Sequence, residues 1–188
     1  MLKRKFLSAL RNFRDDTRGV ISIEMVVILP LLLWSFAAVA TFFDAYRARS
    51  LAEKAAFTIS DMLSRETNAV NAQYITNTRT LFDELASSQT DSSLRVSVIS
   101  WNSALNAYEI DWSEARGTRL IALENSDMDE LEPSLPVMSD SDVLILVETL
   151  GSYTPMLNVG IGSASIDTFV FTRPRYAPQL VFEGSSPA

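Results

Sequence analysis

Glu24 is the first candidate for a functional residue, because its carboxylate lies inside an apolar stretch of the sequence. Burying that charge in hydrocarbon costs several kcal/mol unless it is paired or protonated. Cleavage between Gly19 and Val20 would create an α-amino group four residues, about one helical turn, before Glu24. The spacing therefore predicts that the Val20 amine neutralises Glu24, within one chain or across to a neighbour. The simpler alternative is a carboxylate that reaches the cytoplasmic headgroups without a partner.

The chain has 188 residues and contains no Cys and no His, which are the residues that most catalytic and metal sites use. Disulfides, thiolate nucleophiles, Fe–S clusters and Ser–His relays are thereby excluded. With a net charge of −7, the chain is also a poor partner for nucleic acid, whose phosphates require a basic surface. We expect no catalytic residue, no cofactor, no metal site and no nucleic-acid partner.

The charge is unevenly distributed around a long uncharged run. Residues 1–19 contain six basic and two acidic side chains, so the negative charge is carried by the rest of the chain. The nineteen residues from Met25 to Phe43 carry no charge, which is just enough for a helix to cross the hydrocarbon core. The basic flank comes first, so the positive-inside rule predicts a cytoplasmic N-terminus and an exported C-terminal part.

Two other interpretations of this run remain open. A core helix of a soluble protein could be equally long, although this run is apolar on nearly every face. A secretory signal is the other alternative, since Ala38-Val39-Ala40 matches an A-x-A cleavage site. The apolar run continues beyond that site through Phe43, and the basic region before it is long for a signal peptide.

The basic leader, the glycine and the apolar helix with Glu at its fifth position together resemble the type IV pilin and pseudopilin class. More narrowly, the segment from Arg18 to Leu33 resembles the TadE/TadG-like family of the bacterial tight-adherence, or Flp, pilus system. Its Gly-x4-Glu element and interrupting proline are matched by Gly19, Glu24 and Pro30. The run Phe169–Arg175 also looks like the end of some family members.

This resemblance implies a non-enzymatic pseudopilin, or minor pilus-assembly component, of the bacterial inner membrane. A prepilin peptidase would cleave between Gly19 and Val20, and Glu24 would pair helices during assembly with other pilus-assembly proteins or pilins. TadG-like members carry an Asp-x-Ser-x-Ser metal motif that is absent here, so the shorter TadE-like or TadF-like role fits better.

Pro30 lies within the apolar run. Membrane helices tolerate proline where neighbouring groups satisfy the freed carbonyl. We weigh two interpretations equally: a kink that helps the helix leave the bilayer or pack in a filament, and a kink that is merely tolerated.

The fold class predicted from periodicity is α+β, a transmembrane helix continuing into a helical stem with a small, mostly antiparallel sheet. Apolar positions recur at helical spacing from Asp44 to about Arg65, and again on a second helix between Tyr74 and Leu85. Four segments follow with the composition or alternation of strands. They are Leu94–Trp101 and Ala107–Trp112, which form a hairpin, and Val143–Thr149 and Ile166–Thr172.

Four regions are therefore predicted: a cytoplasmic leader at 1–19, a transmembrane helix at 20–43, a helical stem at 44–90 and an exported domain at 91–188. In the exported domain, the acidic stretch Glu124–Glu132 is interpreted as a solvated loop, since it lacks the glycine and distal glutamate of a calcium loop. Trp101 and Trp112 could form a binding platform, but are more often core or cross-strand residues.

Three other classes of protein stay open at this point. An uncleaved single-pass scaffold or sensor with a periplasmic binding domain would keep Met1. A secreted binding domain would begin near Thr41. A membrane-tethered hydrolase would need convergent carboxylates in a pocket.

Overall fold

The computed structural model describes residues 20–87, 92–140 and 142–183, without the side chains of residues 20–22. The predicted cleavage residue Gly19 and the basic leader lie outside the described residues. The chain divides into two compact units. One contains the chain up to Phe43 together with Met156–Gly160, and the other contains Asp44–Pro155 and Ile161–Ala188.

Helix α1 runs from Val20 to Ser64 without interruption, with Pro30 inside it. The prediction that the apolar helix continues into a stem is confirmed. Its C-terminal half buries one stripe of small and branched side chains at helical spacing, as expected for a helix that packs on one side only. The buried apolar residues of this stripe are Ala52, Ala55, Ala56, Ile59 and Leu63.

Helix α2 spans Ala72–Ala86 and begins where Asn71 accepts a hydrogen bond from the Tyr74 amide at 2.9 Å. Asparagine favours this position because its side chain satisfies one of the free amides of the first turn. The helix ends at Ser87, whose left-handed backbone returns its N–H to the last carbonyls. Its buried face is narrower than predicted, since Leu81 and Leu85 remain more than a third exposed.

Four antiparallel strands form one sheet in the order β2-β1-β3-β4. The strands are longer than their predicted segments but lie in the same places. They are β1 (Ser93–Asn102), β2 (Ala107–Arg116), β3 (Val143–Tyr153) and β4 (Ala164–Thr172). The α+β fold and the β1–β2 hairpin are therefore confirmed, and β3 lies in the interior of the sheet.

One face of the sheet packs against the helices of the same unit. Val96, Val98, Ile145 and Val147 are fully buried there, together with the α1 stripe and Phe82 of α2. The alternation of β1 and the β-branched composition of β3 provide this face, because successive side chains of a strand point to opposite sides.

The other face of the sheet is covered by the segment that follows β2. Its core contains Leu144, Leu146 and Ile99 from the strands, and Leu123 and Met128 from the covering segment. The interpretation of the acidic stretch as a loop was wrong in this respect: it folds into three short helical segments. They are Asn125–Asp127, Met128–Leu131 and Glu132–Ser134.

The physical reason is that two apolar side chains of the acidic stretch, Met128 and Leu131, fall three residues apart and reach the sheet. The Glu124 amide also donates to the Asp127 carboxylate at 2.9 Å, which closes the first turn. The neighbouring carboxylates remain in solvent, so the solvated character of the segment was predicted correctly while its conformation was not.

The C-terminal segment returns to the helix-side core. Val70 and Phe182 form an isolated parallel bridge, and the Trp112 indole N–H donates to the Leu180 carbonyl at 2.7 Å. Leu180 is 2% exposed, so this segment completes the core rather than trailing from it.

Candidate functional site

The N-terminal half of α1 is long and apolar enough to cross a membrane, and it is the one such helix among the described residues. Its large side chains lie in the open rather than in a protein core. Val26 is 73% exposed, Phe36 75% and Phe43 73%. An exposed apolar surface of this length is stable only against lipid or another apolar surface. The alternative of a buried core helix does not fit this exposure.

Glu24 lies on this surface and is itself exposed, among Ile23, Met25, Val26 and Val27. No ion pair or hydrogen bond to the Glu24 carboxylate is present among the residues whose side chains are described. Val20, the predicted source of the new amine, is in the same helix, but its side chain is outside the described set. Pairing between Glu24 and the Val20 amine therefore remains a prediction.

Some small residues near the end of the apolar run are less exposed to solvent than the large side chains of the same run. Thr41 is 6% exposed, and its hydroxyl donates to the Ala37 carbonyl at 2.9 Å. Ala37 and Ala38 are half-buried, whereas Val39 is 49% exposed. The Thr41 bond keeps its hydroxyl satisfied within the helix, which an apolar environment requires.

A cavity of about 160 Å³ opens in the second unit, where α1, the end of α2 and the end of β3 meet. The apolar part of its wall includes Leu51 and Phe82, and polar side chains lie along the rest. At roughly 30 Å³ per water molecule, the volume holds a ligand group of about five heavy atoms rather than a drug-sized molecule.

Two opposite charges and a phenol contribute to this wall. Tyr153 donates from its hydroxyl to Asp44 Oδ2 at 2.9 Å, which links β3 to the first turn of α1 in this unit. Burial, together with this hydrogen bond and the Asp44 charge, raises the pKa of Tyr153. Arg47 lies three residues after Asp44 on the same side of the helix and has no ion-pair partner among the described residues.

The sequence interpretation missed this cavity. The i, i+3 spacing of Asp44 and Arg47 places both side chains on one helix face, but it does not indicate what lies against that face. Tyr153 is 109 residues from Asp44 in the sequence. No local pattern brings these two residues together.

The acidic residues that could have held a metal serve as local hydrogen-bond acceptors instead. Asp127 accepts from the Glu124 amide, and Asp142 accepts from the Ser139 amide and from Arg173, each at 2.9 Å. Within the described ranges, no group of three or more acidic side chains is arranged to hold a metal ion.

The two tryptophans that could have formed a binding platform lie in different cores. Trp101 makes an edge-to-face contact with Tyr108, its cross-strand partner, at a ring distance of 4.7 Å. Trp112 packs against Phe182 on the opposite face of the sheet. They do not form a joint platform, because a bulge and the alternation of the strands place them on opposite faces.

The geometry thus provides an exposed apolar helix that carries one carboxylate, and a small cavity with one acidic and one basic side chain. Comparison of the chain with protein-family models, curated proteins and solved structures finds no match in any of the three.

Proposed function

We propose that this chain is a TadE-like pseudopilin, or minor pilus-assembly component, that acts without catalysis in the biogenesis of Flp (tight-adherence) pili. It is anchored by α1 in the bacterial inner membrane, with the N-terminus in the cytoplasm and the sheet domain in the periplasm. A prepilin peptidase cuts between Gly19 and Val20. The mature helix then associates with other pilus-assembly proteins or pilins.

The observation that carries the proposal is the position of Glu24 on the exposed apolar surface of α1. In a bilayer, an unpaired carboxylate here costs several kcal/mol, so an anchor that only tethers has no use for it. A helix with a charge at one level accepts a neighbour only in the register that supplies the opposite charge. This selectivity suits assembly of helices side by side.

The remainder of α1 supports the same proposal. The helix passes from the apolar run into the core of the sheet domain without a break. A membrane-embedded assembly step is thereby coupled through one continuous helix to the domain that meets periplasmic partners. Pro30 lies within the run and can soften the helix when it moves between bilayer and complex.

N-terminal sequencing of the protein isolated from native membranes tests the proposal. We expect the mature chain to begin at Val20, and a Gly19→Leu variant to keep Met1. Thr17→Leu, two residues earlier, is the control and should still be processed. A wild-type chain that begins at Met1 would overturn the proposal in favour of an uncleaved scaffold or sensor. A chain that begins near Thr41 would indicate a released domain.

A further inference from the structure

The cavity beside Asp44 lies close in sequence to the end of the uncharged run. Nineteen uncharged residues end at Phe43, and Asp44, the first residue after them, is part of the cavity wall. At 1.5 Å per residue the run covers about 28 Å, close to the thickness of the hydrocarbon core. The part of the cavity at Asp44 and Arg47 therefore lies at the level of the lipid headgroups.

We propose that this cavity binds the headgroup of a zwitterionic phospholipid that carries a primary ammonium, such as phosphatidylethanolamine. The phosphate pairs with Arg47 and the ammonium with Asp44. This inference rests on the membrane placement in the proposed function, and does not depend on cleavage or on pilus assembly.

Charge complementarity selects a zwitterion over an anionic lipid. The wall carries one carboxylate and one guanidinium, about 4.5 Å apart along the helix axis. Guanidinium groups bind phosphate oxygens well because their planar N–H donors match the oxyanion geometry. A lipid with a single negative charge would satisfy Arg47 but leave Asp44 without a cation.

Hydrogen bonding selects a primary ammonium over a trimethylammonium group. Asp44 Oδ2 already accepts from Tyr153, and the second oxygen remains free to accept within the described part of the chain. Ser87 and Thr154, which each carry a hydroxyl acceptor, also belong to the wall. An ammonium group donates three hydrogen bonds to such acceptors, whereas a trimethylammonium group donates none.

The apolar part of the wall suits the carbon atoms of the same ligand. Leu51, Phe82 and Ile166 contribute this part. A volume of about 160 Å³ is sufficient for the ethanolamine part of the headgroup, while the phosphate lies at the exposed Arg47 and the two acyl chains stay outside the cavity. The acyl chains would remain in the bilayer.

Native mass spectrometry of the full-length protein in mild detergent tests the inference. The protein is first delipidated and then titrated with dioleoyl phosphatidylethanolamine, phosphatidylcholine or phosphatidylglycerol. We expect the wild type to retain phosphatidylethanolamine about tenfold better than the other two, and Arg47→Gln and Asp44→Asn each to abolish the preference. Arg49→Gln is the control, because Arg49 pairs with Glu53 in solvent and is not part of the wall.

Two further variants keep the test decisive if Asp44→Asn alters the fold. Ala48→Leu fills the cavity without changing charge and should also abolish the preference. Glu53→Gln removes an exposed carboxylate of α1 that is not part of the wall, and this variant should retain the preference. Equal retention of all three lipids by the wild type, or wild-type retention by Arg47→Gln, would overturn the inference. So would crosslinking from position 48 in cells to another protein rather than to lipid.

The outcomes also separate this inference from the proposed function. A chain that begins at Met1 but prefers phosphatidylethanolamine would remove the pilus role and leave the lipid site. A chain that begins at Val20 without a headgroup preference would do the reverse.

Discussion

Arg95 and Glu148 form a bidentate ion pair across β1 and β3, with N–O distances of 2.6 and 2.7 Å. The two residues are directly opposite in the antiparallel register, and their side chains are only 12% and 13% exposed. Arg95 also donates to the Ile121 carbonyl at 2.9 Å. The pair therefore fixes the covering segment to the sheet as well as one strand to the other.

Removing one partner of this pair should be costly. Glu148→Ala leaves the Arg95 guanidinium almost buried without its counter-charge, and we expect the free energy of unfolding to fall by about 3 kcal/mol. Denaturant unfolding of the full-length protein in detergent, followed by tryptophan fluorescence, measures this change. Glu53→Ala, which breaks the exposed Arg49–Glu53 pair, should cost less than about 0.5 kcal/mol. Equal effects from the two variants would contradict the structural role of Arg95–Glu148.

Gly117 occupies a position that no other residue can take without strain. Its φ is +105°, and an added Cβ would clash with the Ser93 hydroxyl and lie 2.7 Å from the Ser92 carbonyl oxygen. We expect Gly117→Ala to lower the free energy of unfolding by about 1–3 kcal/mol. Gly162→Ala is the control, since nothing lies within 4 Å of its added Cβ and its φ is not positive. A neutral Gly117→Ala would show that the backbone at the end of β2 adjusts freely.

Tyr74 should make the free energy of unfolding depend on pH in the alkaline range. Burial, together with the charge and hydrogen bond of Glu66, raises the pKa of Tyr74 from 10.0 to about 12. Between these values the unfolded chain releases the phenol proton and the folded chain keeps it, so the free energy of unfolding falls as pH rises from about 10 to about 12. Tyr74→Phe should reduce this slope, and Tyr176→Phe, at an exposed tyrosine, should leave it unchanged. Chemical denaturation at successive pH values measures the slope, and the same slope in Tyr74→Phe would refute the assignment.

Glu24 should matter for association and not for insertion. We expect Glu24→Ala to enter the membrane fraction normally, because the change makes the helix more apolar. In the proposed pseudopilin role, pilus assembly should fall more than tenfold, because helices can then pack out of register without leaving a charge unpaired. Pilus counts by electron microscopy and crosslinking between helices measure this, with Glu53→Ala as the control. Normal piliation by Glu24→Ala would remove the pairing role.

The local elements of this protein were predictable from the sequence. The uncharged run predicts a membrane-length helix, the 3.6-residue period places both stem helices, and alternation or apolar composition places all four strands. These patterns work because each element must bury one stripe or one face. They failed at Glu124–Glu132, where two apolar side chains are too few to indicate the short helices that cover the sheet.

The contacts between residues that are far apart in the sequence were not predictable and are seen only in the tertiary structure. The Asp44–Tyr153 bond joins residues 109 positions apart, Arg95–Glu148 spans 53, and Trp112–Leu180 spans 68. Periodicity shows that a side chain faces inward or outward but carries no information about which distant residue it meets. Strand order, register and the return of the C-terminal segment determine which distant residues come into contact. The charge pattern and the membrane-length helix were thus determined by the sequence alone, while the cavity beside Asp44 was decided by packing.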